Sequence, residues 1–209
     1  MTPRAILLDI EGTTTSIAFV AETLFPFARK HLVEFVCANP EVSAPILAEV
    51  PGDDKVATLL GWIDEDRKAT PLKTLQGLIW EAGYASGELA GHVYPDTPDA
   101  LQRWHAAGIA IHIYSSGSVA AQKLLFGHSV AGDLTRFLGG YFDTTTGPKR
   151  EADSYARIAA ALSLPPSAIL FVSDIQPEVD AARAAGLQAL LIDRDGTGGD
   201  VHSLAQVLP

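Results

Sequence analysis

Asp9 and Glu11, Ser115 and Ser116, Lys149, and Ser173 with Asp174 are polar residues set at the ends of apolar runs or in the turns that follow them. Asp9 ends the run Ala5-Ile6-Leu7-Leu8, Ser115 follows Ile109 to Tyr114, and Ser173-Asp174 follows Ala168 to Val172. Lys149 lies in a Gly-Pro-Lys stretch. Three carboxylates gathered in one place repel each other unless positive charge offsets them. Hard oxygen ligands of this kind suit magnesium, which is commonly held by one or two carboxylates together with phosphate oxygens. A phosphate ester is the natural complement. Lys149 would add a second positive charge, and Ser115 with the backbone amides near Gly117 would donate to the remaining phosphate oxygens. Asp9 would then be the attacking carboxylate, forming an aspartyl phosphate that water removes.

Each cluster taken alone has an ordinary explanation. Asp9 and Glu11 beside Gly12 could form a turn, Ser116-Gly117 could precede a helix as a cap, and Lys149 could be a solvated lysine. Asp174 could accept from backbone amides ahead of the next helix. What weighs against these readings is position along the fold. The chain from Thr97 onward alternates helix and strand. Helices are expected over 97–107, 119–126, 154–162 and 177–185, with strands over 109–114, 141–142, 168–172 and 187–192. Gly108 and Gly186 close two of the helices. With the run at 5–8, this is the pattern of an α/β fold, a parallel sheet covered by helices. In such sheets the binding crevice lies beyond the carboxyl ends of the strands, where these polar clusters fall.

Between the first strand and Tyr94-Pro95-Asp96 the rhythm is helical. Leu24, Phe25, Ala28, Leu32 and Phe35 recur at steps of three and four, as do Val56, Leu59, Leu60 and Ile63, and then Leu72, Leu75, Leu78, Ile79 and Ala82. Residues 17–94 are therefore expected to form an inserted helical cap, with 1–16 and 95–209 as the core. The insertion is too long to be a loop.

At 209 residues, 47% apolar and 19% charged, the chain has the composition of a globular protein rather than a disordered one. Its net charge of −10 is spread along the sequence and disfavours a nucleic-acid backbone as partner. With a single cysteine, Cys37, no 18-residue apolar run and no basic-then-apolar start, a cytoplasmic protein with no membrane partner is expected. The six His residues lack ligand spacing, so no zinc site is expected.

Asp9-Ile10-Glu11-Gly12-Thr13, Ser115, Lys149 and Ser173-Asp174 resemble the four motifs of the haloacid-dehalogenase-like phosphatases, in which a second Asp normally stands two residues after the nucleophile. Here that position is Glu11. This departure, with the segments Leu8 to Thr15, Ile17 to Val20, Leu75-Gln76-Gly77 and Tyr114 to Ser129, is similar to the enolase-phosphatase family of methionine salvage. The similarity extends over nearly the whole chain. It implies a Rossmann-like core with a helical cap, and an enzyme that enolises a methylthio diketopentyl phosphate and then removes its phosphate to release an acireductone. It further implies Asp9 as nucleophile, with Glu11 in an acid/base role. Mg2+ would be held at Asp9, Glu11 (in part through its backbone carbonyl) and Asp174, and the substrate phosphate at Ser115, Ser116 and Lys149.

Some readings stay open at this level. Glu178 is a candidate outer partner of the metal, although an acid after Pro177 is also what a helix dipole favours. Phe19, Lys73, Gln76 and Trp80 are candidate contacts for the substrate tail. A related phosphatase acting on a sugar phosphate, or a phosphoreceiver module, remains as an alternative, the latter opposed by the long insertion. A monomer acting on a small phosphorylated diketone is expected.

Overall fold

The computed structural model describes residues 2–65, 67–196 and 198–208. The chain divides into two compact units, Met1–Ile17 with Gly91–Pro209, and Ala18–Ala90. The first is built on a five-stranded sheet of β1 (Ala5–Leu8), β2 (Ala110–Tyr114), β3 (Gly140–Phe142), β4 (Ile169–Ser173) and β5 (Gln188–Leu191). All pairings are parallel and the spatial order is β3-β2-β1-β4-β5. β1 sits in the centre, and each of its four residues is fully buried, as an uninterrupted Ala-Ile-Leu-Leu run requires of a strand covered on both faces. Leu8 pairs with Ile113 on one side and Val172 on the other, so the residues that follow these three strands emerge side by side.

Helices α6 (Thr97–Ala106), α7 (Val119–Gly127), α8 (Ala152–Ala161) and α9 (Gln176–Ala184) lie between these strands in sequence. Gly108 and Gly186 adopt φ of +74° and +86° just beyond α6 and α9, the left-handed stop that glycine supplies without a Cβ penalty. On one face of the sheet Tyr114, Tyr155 and Phe171 pack edge to face, with ring centroids 5.6 Å and 5.1 Å apart. The two tyrosine hydroxyls are not idle. Tyr114 donates to the Gly147 carbonyl at 2.9 Å and Tyr155 to the Lys149 carbonyl at 2.7 Å, so the buried aromatic cluster fixes the loop that carries Lys149.

Among the described residues, the regular elements of the second unit are all helices. A single turn, α1 (Ile17–Phe19), runs through a widened π turn at Val20–Leu24 into α2 (Phe25–Ala38), followed by α3 (Pro40–Ala48), α4 (Lys55–Asp64) and α5 (Thr70–Ser86). Its core joins Ala28 and Leu32 of α2, Leu59 and Trp62 of α4, and Leu72, Leu75 and Ile79 of α5. All of these except Trp62 are residues that the three- and four-residue periodicity singles out. Asp54 caps α4 by accepting from the Ala57 amide at 2.9 Å. α3 contains Pro45, which periodicity does not anticipate; the Glu41 carbonyl that loses its partner there belongs to an exposed residue, so water can replace the lost donor.

Candidate active site

Asp9 follows β1 directly and is 4% exposed. Its amide continues the ladder to the Val172 carbonyl at 3.0 Å. Every carboxylate oxygen is engaged: Oδ1 accepts from the Ile10 amide at 2.8 Å and from Lys149 Nζ at 2.7 Å, and Oδ2 accepts from Ser173 Oγ at 2.7 Å. The turn that follows is tied down with equal economy. The amides of Thr13, Thr14 and Thr15 all donate to the Ile10 carbonyl, and Thr14 Oγ1 donates to the Asp9 carbonyl at 3.1 Å. Arg194, beyond β5, donates to the Thr13 carbonyl and to Asp96 while standing 4.1 Å from the Tyr94 ring centroid.

Gly12 has φ of +68°, and a Cβ placed there would fall 2.1 Å from Asp174 Oδ2. The missing side chain is therefore the space that the Asp174 carboxylate occupies. Burial, and after it the charge of Asp9, pushes the Asp174 carboxyl up to about 6. Gly12→Ala should consequently do two things. It should destabilise the fold by about 1–2 kcal/mol through the left-handed backbone alone, measured by chemical denaturation, and it should displace Asp174, lowering turnover at least tenfold by roughly the penalty for misplaced reacting groups.

Lys149, 9% exposed, bridges two carboxylates, with Nζ 2.7 Å from Asp9 Oδ1 and 2.6 Å from Glu178 Oε2. Burial by itself would lower its pKa, but the two carboxylates outweigh it and hold the ammonium above its ordinary value. Glu178 moves the other way, raised by burial and by the Asp9 charge against the pull of Lys149. Ser173 Oγ lies 3.3 Å from Glu178 Oε2 and links the same groups.

The structure thus gathers Asp9, Asp174 and Lys149 where the strand ends predict. Ser115 lies buried at the end of β2, its amide donating to the Phe142 carbonyl and its Oγ accepting from the Gly117 amide, both at 3.2 Å. Ser116 and Glu11 are exposed, and Glu11 forms an isolated bridge with Thr15. Asp9 and Glu178 are the buried carboxylates beside Lys149, Asp174 is half-buried, and the exposed Glu11 acts on Asp174 through its charge. Among the described residues no three His, Cys, Asp or Glu side chains converge as a ready-made metal group. Glu178 had a signal in the sequence: it falls one helical turn after Asp174. The helix-dipole reading explained it equally well and concealed its contact with Lys149. Of the candidate tail contacts, Gln76 is buried, Lys73 is exposed, and the Trp80 indole donates to the Leu24 carbonyl at 2.8 Å.

A buried carboxylate at the end of a central parallel strand, gripped by a lysine and faced by an acid from the next strand, is an arrangement for nucleophilic hydrolysis. The family model for haloacid dehalogenase-like hydrolases matches residues 3–186, and the chain belongs to that family. Within the family its relatives are enolase-phosphatases. A protein named Enolase-phosphatase E1 from Pseudomonas aeruginosa (strain UCBPP-PA14) is 54% identical over 213 aligned positions, covering 97% of this chain and 95% of the relative. One of the same name from Alcanivorax borkumensis is 55% identical over 206 positions, covering 93% and 91%. The crystal structure of the Unknown transcript 4 protein of Saccharomyces cerevisiae superposes with a TM-score of 0.84 at 37% identity, covering 96% of this chain and 97% of that one.

Proposed function

We propose that this enolase-phosphatase acts on 2,3-diketo-5-methylthiopentyl 1-phosphate in methionine salvage, enolising it and then hydrolysing the phosphate ester to release an acireductone. The observation that carries the hydrolytic half is Asp9 at the mouth of the sheet, its Oδ1 held by Lys149 and its Oδ2 by Ser173. The relatives' shared name supports the pairing of the two reactions.

In this reading an Asp9 oxygen attacks phosphorus, an aspartyl-phosphate bond forms, and the bond from phosphorus to the ester oxygen breaks. Glu11 gives the leaving oxygen its proton and then takes one from the water that hydrolyses the aspartyl phosphate, regenerating Asp9 and releasing orthophosphate. Ser115 and Ser116 donate to the phosphate oxygens, and Lys149 offsets the charge that accumulates on them. Hydrolases of this family generally use Mg2+. The donor set fits such an ion, because Asp9 and Glu178 share the single charge of Lys149 and the Asp174 carboxyl is raised by burial and by the Asp9 charge. Asp9, Asp174 and the Glu11 backbone carbonyl would hold the metal, which would offset the repulsion between an anionic nucleophile and an anionic phosphate and polarise the ketone for enolisation.

The test follows the ultraviolet band of the enol and the release of phosphate separately, with the diketo phosphate as substrate. Both signals are expected, and chelation of divalent metal is expected to stop both. Phosphate release without an enol band would reduce the protein to a simple phosphatase, and absence of both would overturn the reading. Enolisation that persists in chelator would remove the metal from the first reaction.

A further inference from the structure

Gln122 lies on α7, outside the residues assigned above, and is 1% exposed. Its Nε2 donates to the Gly117 carbonyl at 2.8 Å and to the Phe142 carbonyl at 2.9 Å. Both partners only accept, so the orientation of the amide is dictated by chemistry. The same orientation leaves Oε1 buried with no hydrogen-bond partner among the described residues. Burying that acceptor carries a desolvation cost, which the two hydrogen bonds from Nε2 offset.

The two carbonyls belong to the segments that shape the loop after β2. Phe142, the last residue of β3, also accepts from the Ser115 amide, and Asp143 accepts from the Val119 amide at 3.3 Å. The Gly117 carbonyl lies in the loop itself, which is also tied through the Ser115 hydroxyl, the Ser118 cap and the Ser118 carbonyl, an acceptor for the Gln122 amide. Because a trans peptide is planar, turning the Gly117 carbonyl toward Gln122 turns the Ser118 N–H the opposite way. Among the described residues the amides of Ser116, Ser118 and Ala120 have no hydrogen-bond partner. Three amides beside the Ser115 hydroxyl are thus left to donate to an anion.

We infer that Gln122 is a positioning residue for phosphate: its amide, clamped between the Gly117 and Phe142 carbonyls, locks the 115–118 loop with its free amides turned toward the substrate's phosphate. This rests on the reading of Ser115 and Lys149 as phosphate ligands. Gln122 touches no substrate and acts only by fixing one peptide plane.

The probe is orthophosphate as a competitive inhibitor, together with turnover of the diketo phosphate and thermal melting. Gln122→Met matches the side chain in length and removes both donors. It is expected to melt cooperatively, to raise the orthophosphate Ki and KM in parallel by about tenfold, as the loss of two loop-fixing hydrogen bonds suggests, and to change kcat much less. Gln122→Glu supplies a second, independent readout. Ionised, its carboxylate has no proton to give, whereas protonated it regains one donor, so its orthophosphate Ki should improve as pH falls from 8 toward 5.5 relative to the unaltered protein. An unchanged Ki in Gln122→Met, or a Gln122→Glu profile parallel to that of the unaltered protein, overturns the assignment. Ser115→Ala and Lys149→Ala separate the two levels. If they raise the Ki while Gln122→Met does not, only the role of Gln122 fails; if they too leave it unchanged, the phosphate site itself is wrong and the inference goes with it.

Discussion

Asp9→Asn is expected to abolish phosphate release, by at least about 10⁴-fold in kcat given what loss of a nucleophile costs in comparable cases, while leaving a folded protein with a cooperative melt. The structure says why the fold should survive. Ile10 N–H and Lys149 can still donate to the carbonyl oxygen of Asn, which takes the place of Oδ1. The amide nitrogen would then face Ser173 Oγ, and a hydroxyl can turn from donor to acceptor, sending its own proton toward Glu178 Oε2 at 3.3 Å. The neutral amide is a poor nucleophile toward phosphorus, and the loss should therefore fall on the chemical step. Single-turnover measurement of phosphate release with the diketo phosphate decides the matter. Near-normal turnover would strip Asp9 of its role.

Lys149→Met should damage both activity and stability, and the pH dependence should reveal why. Loss of the ammonium removes a donor from the developing charge, for which a fall of about 10²–10³ in kcat is the usual scale. It also leaves Asp9 and Glu178 buried without their shared counter-charge, and breaking a buried pair in this way costs about 3–5 kcal/mol. The sign with pH follows from the groups left behind. Without Lys149 the carboxyl of Glu178, already raised by burial and by Asp9, rises further. A carboxyl raised in the folded state holds its proton there at pH values where the unfolded chain has lost it, so folding stability declines as pH rises through that interval. Denaturation of Lys149→Met should thus approach that of the unaltered protein near pH 5 and diverge from it toward pH 8. Adding Glu178→Gln should restore part of the loss at pH 8. A deficit that does not depend on pH would mean that the methionine is merely misfitting.

The elements that could be read from residue order were those with a single local cause. The four-residue apolar run at Ala5–Leu8 is the first strand to the residue, and Gly108 and Gly186 sit where their helices stop. The short β3 was visible only as Tyr141-Phe142, because Gly140 contributes no side chain to a hydrophobic pattern. In the site, Asp9, Asp174, Lys149 and Ser115 were recognisable because each follows a strand or opens a turn. Glu178, Gln122 and Arg194 were not, or were undervalued. Each makes its decisive contacts with a loop on another strand, and periodicity carries no record of such contacts. Glu11 shows the converse. Its place in the motif makes it a candidate metal ligand, partly through its backbone carbonyl, while its side chain stands exposed and Glu178 is the buried carboxylate beside Lys149.

The threonine hydroxyl at position 15 donates to the carbonyl of His92 and lies 2.9 Å from its Nδ1, so the segment leaving the sheet and the segment returning to it are neighbours. Whatever is spliced between them begins and ends at nearly one point. Evolution could therefore exchange the intervening module, or an engineer could graft another, without disturbing strand order or the hydrolytic residues. New specificities would arise by recombination at that junction, with the chemistry inherited unchanged.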